Sequence, residues 1–416
     1  MPVLVLKFGG TSMGSLERID NAANIIIKAQ NEGYDVAVVV SAMAGETDKL
    51  IGMAKQISNR SDEREYAMLV STGEQVSMSL LAMTLQAKGV ASKSLTGWQA
   101  GVQTCSHYRK ARIETIDNSK ILSCFKENLI VVVAGFQGLD DNNEITTLGR
   151  GGSDTSAVAL AASLKAEECR IYTDVDGVYT TDPRVVPDAR RLECITFEEM
   201  LEMASLGAKV LQIRAVEFAG KYNVPLRVLS SFVEGPGTLI TYEEKSMEHA
   251  LVSGIAFNRT EAKISILGVP NEPGVAAKIL GLVSRHDIDV DMIIQNLGDE
   301  GKTDFTFTVH RDDYVQTMEL LTELSDELAA HGVRGDMKIA KLSLVGVGMR
   351  SHAGIASRMF TCLAEERINL QLISTSEIKI SVIVDEKYLE LGVRALHTEF
   401  ELAKKAVEEF DPKVLD

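Results

Sequence analysis

Short apolar runs alternate with amphipathic segments over the first part of the chain. Five runs are rich in apolar or β-branched residues, which is typical of buried strands. They are residues 3–6, 36–40, 130–134, 170–173 and 226–229. Between them, apolar residues recur at helical spacing from Leu16 to Ile26, and residues 62–88 form a long helical region. Strands separated by helices predict an α/β domain with a mainly parallel sheet covered on both faces.

The pattern changes after about residue 245. Residues 263–269 alternate like a strand and are followed by a turn, a helix over 275–286 and a strand over 290–295. The same order recurs from Lys341, at an offset of 78 to 80 residues. This internal duplication predicts two small α+β units in the second part of the chain.

The composition is that of a globular protein of two or three domains, with 416 residues, 45% of them apolar and 25% charged. A formal charge of −16 and the lack of a dense Lys/Arg cluster argue against nucleic-acid and membrane partners. Five scattered cysteines indicate reduced thiols rather than a disulfide framework. Because no signal peptide and no bilayer-spanning apolar run is present, we expect a cytoplasmic protein.

The candidate chemistry centres on a glycine-rich turn at residues 147–157. The turn contains three glycines, Arg150 and a Ser-Asp-Thr-Ser cluster, and it opens a helix expected over 154–164. Unpaired N–H groups and the positive dipole end at such an N-terminus favour an anion such as phosphate. The alternative is an ordinary glycine loop in which Ser153 or Asp154 caps the helix.

A second glycine-rich turn follows the first apolar run. Gly9 and Gly10 would let the backbone approach a ligand closely, and Lys7 would present a positive charge at the strand end. The residue order is not that of a Walker P-loop. Because the carboxyl ends of parallel strands meet at one edge of a sheet, both turns could share a crevice. Together they suggest phosphoryl transfer.

Two further turns could reach the same crevice. One runs from Ser41 to Asp48 after the apolar run at 36–40, and the other runs from Ser71 to Glu74 inside the long helical region. Each also has an ordinary structural explanation. Ser71 and Glu74 match a capping box, and Thr47 could be only an N-cap.

An acidic loop occupies residues 172–184. Asp176-Gly177 and Asp182-Pro183 are turn signals, so an exposed loop is one explanation. A nucleotide pocket is the other, with carboxylates for sugar hydroxyls, an aromatic face, and Arg184 for phosphates. The order of the carboxylates is not that of an EF-hand, which argues against a calcium loop.

These turns, taken in order, resemble those of the amino acid kinase family and, within it, of the aspartate kinases. The segments that carry the resemblance are 7–12, 40–41, 71–74, 149–154 and 173–184. It covers essentially the whole chain, because such enzymes also carry two C-terminal ACT modules. The implied fold is a three-layer α/β/α kinase domain with a mainly parallel sheet, followed by two α+β ferredoxin-like ACT modules.

The resemblance also implies domain boundaries. The catalytic domain would cover residues 1–245 and the regulatory region 246–416. Residues 263–337 would form the first ACT module, inserted into a second module made of 249–262 and 338–416. In some relatives an internal start, here near Met247, gives a separate regulatory subunit.

The activity implied by the resemblance is transfer of the ATP γ-phosphate to the β-carboxylate of L-aspartate. The product would be 4-phospho-L-aspartate, on the route to lysine, threonine and methionine. ATP would arrive with Mg²⁺ as co-substrate, with no tightly bound prosthetic group and no metal ligand assigned in the protein. By similarity, Lys7 would stabilise the γ-phosphoryl oxygens and Asp154 would orient Lys7.

The remaining site residues follow from the same resemblance. Arg150 would bind the α-carboxylate of aspartate and Glu74 its α-ammonium. The full set for aspartate would be Ser41, Thr47, Glu74, Phe136, Arg150 and Ser153. The set for ATP would be Lys7, Gly9, Gly10, Ser153, Thr173, Asp174, Tyr179, Asp182, Arg184 and Lys209.

The ACT modules would bind inhibitory end products, namely lysine, threonine or both. The positions implied for the effector are Asn271, Gly274, Val275, Ala276, Asp291 and Gln295. The alternative is that these positions form simple βα turns. A homo-oligomer assembled through the ACT modules is expected.

Two other functions stay open on the sequence alone. One is a non-catalytic amino acid sensor of the same fold, against which the intact set of Lys7, Glu74, Arg150 and Asp154 argues. The other is the same chemistry on glutamate, acetylglutamate or UMP. Arg150 together with Glu74 favours a free α-amino acid over an acylated one or a nucleotide.

Overall fold

The structure is a computed structural model that describes residues 1–58, 61–206, 210–242, 251–297, 301–351 and 354–404. These residues form two compact units. Unit 1 contains Met1–Tyr179, Arg191–Ser205 and 210–242, and unit 2 contains Thr180–Arg190, Leu206 and the described residues from 251 onward. The predicted boundary near residue 245 therefore does not account for Thr180–Arg190, which packs with the second part of the chain.

Unit 1 alternates strands and helices, as the hydrophobic pattern predicts. Its strands are β1 (Val3–Phe8), β2 (Asp35–Val40), β3 (Ser92–Leu95), β4 (Val102–Thr104), β5 (Ile113–Ile116), β6 (Ile130–Ala134), β7 (Gln137–Leu139), β8 (Ile145–Thr147), β9 (Glu168–Thr173), β10 (Cys194–Thr196), β11 (Leu226–Ser230) and β12 (Thr238–Thr241). Its helices are α1 (Leu16–Asn31), α2 (Glu46–Ile57), α3 (Glu63–Val70), α4 (Thr72–Ala87), α5 (Ser119–Lys126), α6 (Gly152–Leu164), α7 (Phe197–Ser205) and α8 (Ile213–Tyr222), with a short 3-10 helix at Thr11–Met13.

The main sheet of unit 1 has the strand order β10-β12-β11-β9-β1-β2-β6-β3. Neighbouring strands are parallel from β3 to β11, and β12 is antiparallel to β11. A separate small sheet has the order β5-β4-β7-β8. In the main sheet Lys7 pairs with Val39 on one side and Ile171 on the other. The strand ends after these residues therefore lie side by side.

The core of unit 1 explains why the central strands are almost wholly apolar. Alternate residues of β1, β2 and β6, such as Leu6, Val38 and Val132, pack against α1 and α4. The helices α5 and α6 contact the same strands from the opposite face. Burial on both faces removes the polar alternation of a half-exposed strand. The predicted three-layer α/β/α architecture is confirmed.

The duplicated α+β structure predicted from the sequence lies in unit 2, as its two halves. Its strands are β13 (Gly254–Asn258), β14 (Glu261–Pro270), β15 (Val290–Leu297), β16 (Lys302–His310), β17 (Gly332–Asp336), β18 (Ile339–Val345), β19 (Leu372–Thr375) and β20 (Lys379–Asp385). Its helices are α9 (Val275–Ser284), α10 (Tyr314–Glu327), α11 (Ile355–Glu365) and α12 (Leu389–Glu399), with 3-10 helices at Arg311–Asp313, Val347–Ser351 and Glu386–Tyr388. The two antiparallel sheets have the orders β15-β16-β14-β17 and β13-β18-β20-β19.

The two halves of unit 2 share one plan. Both α9 and α11 begin after a glycine in the left-handed region, Gly274 at φ 99° and Gly354 at φ 97°. In the second half, the edge strand beside β18 is β13, which precedes the first half in the chain. The segment 180–190 also joins this half, because Val186 lies in its core and Ile255 N donates to Thr180 O at 2.7 Å.

Two details of the helices differ from the prediction. The region 62–88 is divided at Ser71 into α3 and α4, and α6 begins at Gly152 rather than at residue 154. None of the helices in the described part of the chain has the length and apolarity that a bilayer crossing requires.

Candidate active site

The glycine-rich turns of unit 1 meet at the carboxyl edge of the main sheet. Ser41 N donates to Phe8 O at 3.0 Å, which joins the ends of β1 and β2. Gly135 N donates to Val40 O at 3.0 Å, and Gly9 N donates to Tyr172 O at 3.1 Å. Four neighbouring strand ends are thus fastened backbone to backbone. The turns that the sequence predicted to share a crevice therefore lie side by side at this edge of the sheet.

Lys7 and Asp154 form a nearly buried ion pair at this edge. Lys7 Nζ lies 2.5 Å from Asp154 Oδ1, and the two side chains are 10% and 11% exposed. Asp154 lies in the first turn of α6, where the helix dipole favours a carboxylate. Its Oδ1 has no well-aligned hydrogen-bond donor among the described residues, so the contact is electrostatic rather than directional.

The start of α6 packs very closely against the end of β6. Its N-cap is Gly151 at φ 68°, and no side chain caps it, so the alternative in which Ser153 or Asp154 caps the helix is wrong. A Cβ on Gly135 would lie 2.9 Å from Ser153 Cβ, so only glycine lets α6 come this near to the end of β6. Phe136 follows at φ 69°, and its N–H donates to Ser156 Oγ at 3.0 Å.

Glu74 points into the same edge and does not cap its helix. Its Oε1 accepts from Ala42 N at 3.2 Å, while Ser71 Oγ donates to Met68 O at 2.9 Å, so the predicted capping-box alternative is wrong. The start of α4 packs closely against Ala42, since a Cβ on Gly73 would lie 2.8 Å from Ala42 Cβ. This packing brings the Glu74 carboxylate to Ala42 N. Glu74 Oε2 is buried without a hydrogen-bond partner among the described residues. Burial raises the pKa of this carboxyl from 4.5 to about 7.

Ser41 and Thr47 lie on the turn after β2 and at the start of α2. Both side chains are partly buried. The N-cap of α2 is Gly45 at φ 80°, and Thr47 is already inside the first helical turn. The alternative in which Thr47 is an N-cap is therefore wrong.

Arg150 lies in the turn that leads into α6. It is exposed, stands four residues before Asp154, and its side chain has no hydrogen-bond or ion-pair partner in the described part of the chain. Gly149 at φ 77° and Gly151 flank it. Lys7 and Arg150 are consequently brought to the same end of α6.

The residues predicted for the nucleotide are divided between the two units. Thr173 and Asp174 continue from β9, where Thr173 Oγ1 donates to Asp174 Oδ1 at 3.1 Å. The hydroxyl of Tyr179 donates to Asp176 Oδ1 at 2.9 Å. Asp182 and Arg184 pair with each other at 2.7 Å and belong to unit 2 rather than unit 1. The remaining predicted contact, Lys209, lies outside the described residues, as does Met247.

Three residues at this edge were missed from the sequence. Ser231 bonds to Ser12 of the glycine-rich turn after β1, and its N–H donates to Thr173 O at 2.9 Å. Its position just after the apolar run at 226–229 could have indicated that Ser231 lies at a strand end. Gln137 is fully buried and donates from Nε2 to Ser71 O at 2.9 Å, and Arg214 bonds to the backbone of the Arg150 turn. Nothing in the local sequence of Gln137 or Arg214 indicates these contacts.

The predicted effector positions in unit 2 form a turn and part of a strand. Asn271 N donates to Gly301 O at 2.9 Å, and Gly274 caps α9, with Val275 and Ala276 in its first turn. The space where Gly274 would carry a Cβ is open. On β15, Gln295 is exposed.

Asp291, also on β15, has a partner. It pairs with the buried Lys341, whose Nζ also lies 3.2 Å from Glu261 Oε1. Glu261 Oε2 is buried and has no hydrogen-bond partner among the described residues. Among the described residues no group of three or more His, Cys, Asp or Glu could hold a metal ion.

Comparison with known proteins gives the same picture along the chain. The model of the amino acid kinase family matches residues 2–230, and ACT domain models match 264–326 and 342–400. An aspartokinase of Pseudomonas aeruginosa is 63% identical over 404 residues, which is 97% of this chain and 98% of the relative. An aspartokinase of Helicobacter pylori is 49% identical over 404 residues, covering 96% and 99%.

Solved structures agree with the sequence relatives. Aspartokinase III of E. coli in complex with aspartate and ADP, described as the R-state, has a TM-score of 0.77 at 27% identity and covers 95% of this chain and 99% of that one. An aspartate kinase of Synechocystis has a TM-score of 0.54 at 42% identity, covering 96% and 69%.

Proposed function

Since this chain belongs to the amino acid kinase family, and within it to the aspartate kinases, we propose that it transfers the γ-phosphate of ATP to the β-carboxylate of L-aspartate and is inhibited by end-product amino acids. The observation that carries the proposal is the ion pair between Lys7 and Asp154 at the edge where the strand-end turns meet. The product is 4-phospho-L-aspartate.

The reaction requires the protein mainly to position the two substrates and to neutralise charge on the transferring phosphoryl group. The β-carboxylate is already ionised at neutral pH, so no general base is needed. Catalysis then consists of bringing two anions together and neutralising charge on the transferring group. Lys7 stabilises the γ-phosphoryl oxygens and Asp154 orients the ammonium of Lys7. Gly9, Gly10 and Ser153 supply donors to the phosphates at the N-terminus of α6.

Aspartate recognition rests on two charges of opposite sign. Arg150, whose guanidinium is free in the described part of the chain, forks onto the α-carboxylate. Glu74 offers its unpaired Oε2 to the α-ammonium. An ammonium also favours the charged form of Glu74 and so offsets the effect of burial on its pKa. Ser41, Thr47 and Phe136 complete the assignment by similarity.

The nucleotide is assigned to the loops after β9. The proposed contacts are Thr173, Asp174, Tyr179, Asp182, Arg184 and Lys209. Mg²⁺ enters as part of the ATP complex, bridging the phosphates, and no protein ligand is assigned to it. Asp182 and Arg184 belong to unit 2, whereas Thr173, Asp174 and Tyr179 belong to unit 1.

Regulation is assigned to the ACT modules of unit 2. E. coli aspartokinase III has been solved with lysine and aspartate in a T-state, at 26% identity and a TM-score of 0.76. We propose that lysine, threonine or both bind at the turn before α9. The proposed positions are Asn271, Gly274, Val275, Ala276, Asp291 and Gln295. Effector binding would bias an equilibrium between two states of the enzyme.

The regulatory region is proposed to cover 246–416. Residues 263–337 form its first module and 249–262 with 338–416 its second, which the pairing of β13 with β18 supports. The modules are proposed to join copies of the chain in a homo-oligomer.

ATP-dependent release of ADP, measured with each acceptor, tests the proposed function, and formation of aspartyl hydroxamate identifies the acyl phosphate product. We expect wild-type turnover with aspartate to exceed that with glutamate, N-acetylglutamate and UMP, and Lys7→Ala to lower kcat by at least about 100-fold. Greater turnover with glutamate would overturn the substrate assignment. Lysine or threonine binding without any turnover would favour the sensor instead. Titrating the active enzyme with lysine, threonine and both identifies the effector.

A further inference from the structure

The turn that carries Arg150 is held by residues outside it. Arg150 stands between two glycines in the left-handed region, and its exposed side chain has no hydrogen-bond or ion-pair partner in the described part of the chain. The direction in which the guanidinium projects therefore depends on the backbone on either side of it.

Arg214, in the first turn of α8, fixes that backbone on one side. Its Nη1 donates to Leu148 O at 2.9 Å and its Nη2 donates to Ala111 O at 2.8 Å. The two carbonyls belong to neighbouring segments, since Ala111 N donates to Thr147 O at 2.9 Å. One planar guanidinium thus joins both segments just before the Arg150 turn.

Gln212, the residue that precedes α8, encloses the turn on the other side. A Cβ on Gly151 would lie 1.9 Å from Gln212 Cγ, so the Gln212 side chain occupies the space that the glycine leaves. Residues before and after Arg150 are therefore held by the same end of α8.

Arg214 is bonded to backbone rather than to a carboxylate, although the charge of Glu217 also acts on it. Arg214 is partly buried, its two bonds go to carbonyl oxygens, and it forms no ion pair with a described carboxylate. Burial, and then the proximity of Arg112, lowers the pKa of the guanidinium, which nevertheless stays charged at neutral pH.

We propose that Arg214 is a positioning residue for the amino acid substrate, fixing residues 148–150 so that Arg150 meets the α-carboxylate of aspartate. This inference rests on the proposed function, because it takes Arg150 as the residue that binds aspartate. Arg214 itself acts through the backbone and does not contact the substrate.

The test compares Arg214→Met, which removes both donors, with Arg214→Lys, which keeps the charge. Turnover of the full chain is measured at varied aspartate and varied ATP. We expect Arg214→Met to raise the KM for aspartate about tenfold or more, as for lost hydrogen bonds to a charged group, and Arg214→Lys to raise it less. The KM for ATP should stay within about twofold of the wild-type value.

Arg227→Met is the matched control. Arg227 is also partly buried in unit 1 and also uses its guanidinium to hold backbone, donating to Pro236 O at 3.1 Å and to Glu168. It lies on strand β11, whereas Arg214 lies on helix α8, and it has no assigned role. Both KM values of this variant should equal those of the wild type, whereas its thermal stability should fall as in Arg214→Met.

The outcomes separate the two proposals. A purely structural role for Arg214 would lower the active fraction, and hence kcat, without changing either KM. A wild-type KM for aspartate in Arg214→Met, or an equal rise in the KM for ATP, would overturn the inference. If Arg150→Gln weakens aspartate binding and Arg214→Met does not, only the inference fails. If wild-type turnover does not depend on aspartate, the proposed function fails.

Discussion

Replacement of Glu74 by glutamine should stabilise the protein at alkaline pH while damaging substrate binding. Glu74 is 4% exposed and its Oε2 has no hydrogen-bond partner among the described residues. The rise of its pKa from 4.5 to about 7 corresponds to about 3 kcal/mol, because one pKa unit is worth about 1.4 kcal/mol. This is the cost in folding free energy of burying the ionised form of the Glu74 carboxyl.

The sign of the pH dependence follows from the direction of the shift. The pKa of Glu74 is higher in the folded than in the unfolded chain, so the folded state binds the extra proton. The stability of the wild type relative to Glu74→Gln should therefore be greatest below pH 4.5, fall between pH 4.5 and about 7, and stay level above that. The pH-dependent difference should approach about 3 kcal/mol.

Fluorescence of Trp98, the single tryptophan, reports the unfolding of unit 1. Denaturant unfolding of wild type and Glu74→Gln is compared at pH 5 and pH 8.5, and the KM for aspartate is measured at pH 8.5. We expect the variant to gain stability relative to the wild type only at pH 8.5. Its KM for aspartate should rise by about 100-fold or more, because a buried ammonium loses its counter-ion.

Glu199→Gln is the control for burial alone. Glu199 is also buried in unit 1, but its Oε2 accepts from Thr196 N at 3.1 Å and from Thr196 Oγ1 at 3.0 Å. This variant should lose stability at both pH values and keep the wild-type KM. An equal stability difference between wild type and Glu74→Gln at pH 5 and pH 8.5 would show that burial does not raise the pKa of Glu74. An unchanged KM would refute the pairing with the ammonium.

Two further predictions concern packing and charge. Lys341→Met leaves the Glu261 and Asp291 carboxylates without their shared cation, so the unfolding transition of unit 2 should lose about 3–5 kcal/mol; an unchanged transition in calorimetry would contradict this. Gly135→Ala forces a Cβ to within 2.9 Å of α6 and should cost about 1–3 kcal/mol and lower kcat. At Gly52, where an added Cβ would have nothing within 4 Å, Gly52→Ala should instead stabilise α2 by about 0.5–1 kcal/mol. A lower denaturation midpoint for Gly52→Ala than for Gly135→Ala would contradict both packing predictions.

The hydrophobic pattern predicted the part of the fold that depends on local sequence. The strands β1, β2 and β6 were readable because strands buried on both faces are apolar throughout. The duplication in unit 2 was readable because each half repeats one order of elements. The reversal of β12 and the small sheet β5-β4-β7-β8 were not predicted, since strands of three or four residues with mixed polarity carry little periodic signal.

The parts of the candidate site that follow a strand directly could be predicted from the sequence. The parts that depend on a side chain far away in the sequence could not. Lys7 and Asp154 each stand beside a glycine-rich turn, so their meeting followed from the parallel topology. Glu74 matches a capping box in sequence, yet tertiary packing of Gly73 directs it to Ala42. Arg214 bonds to carbonyls 66 and 103 residues away, and no local pattern encodes such a contact.

The segment 180–190 shows the same limit at the level of domains. It follows the predicted nucleotide loop in the chain, yet Val186 lies in the core of the second half of unit 2. A few apolar residues in a loop do not reveal which core they join.

A crystal structure with aspartate and a non-hydrolysable ATP analogue would show whether Lys7 and Arg150 bind the two substrates in one cleft. We expect Lys7 Nζ within hydrogen-bonding distance of a γ-phosphate oxygen, and both terminal nitrogens of Arg150 on the α-carboxylate of aspartate. Electron density with the analogue and the amino acid in separate clefts, or with Lys7 bonded to neither, would contradict this expectation.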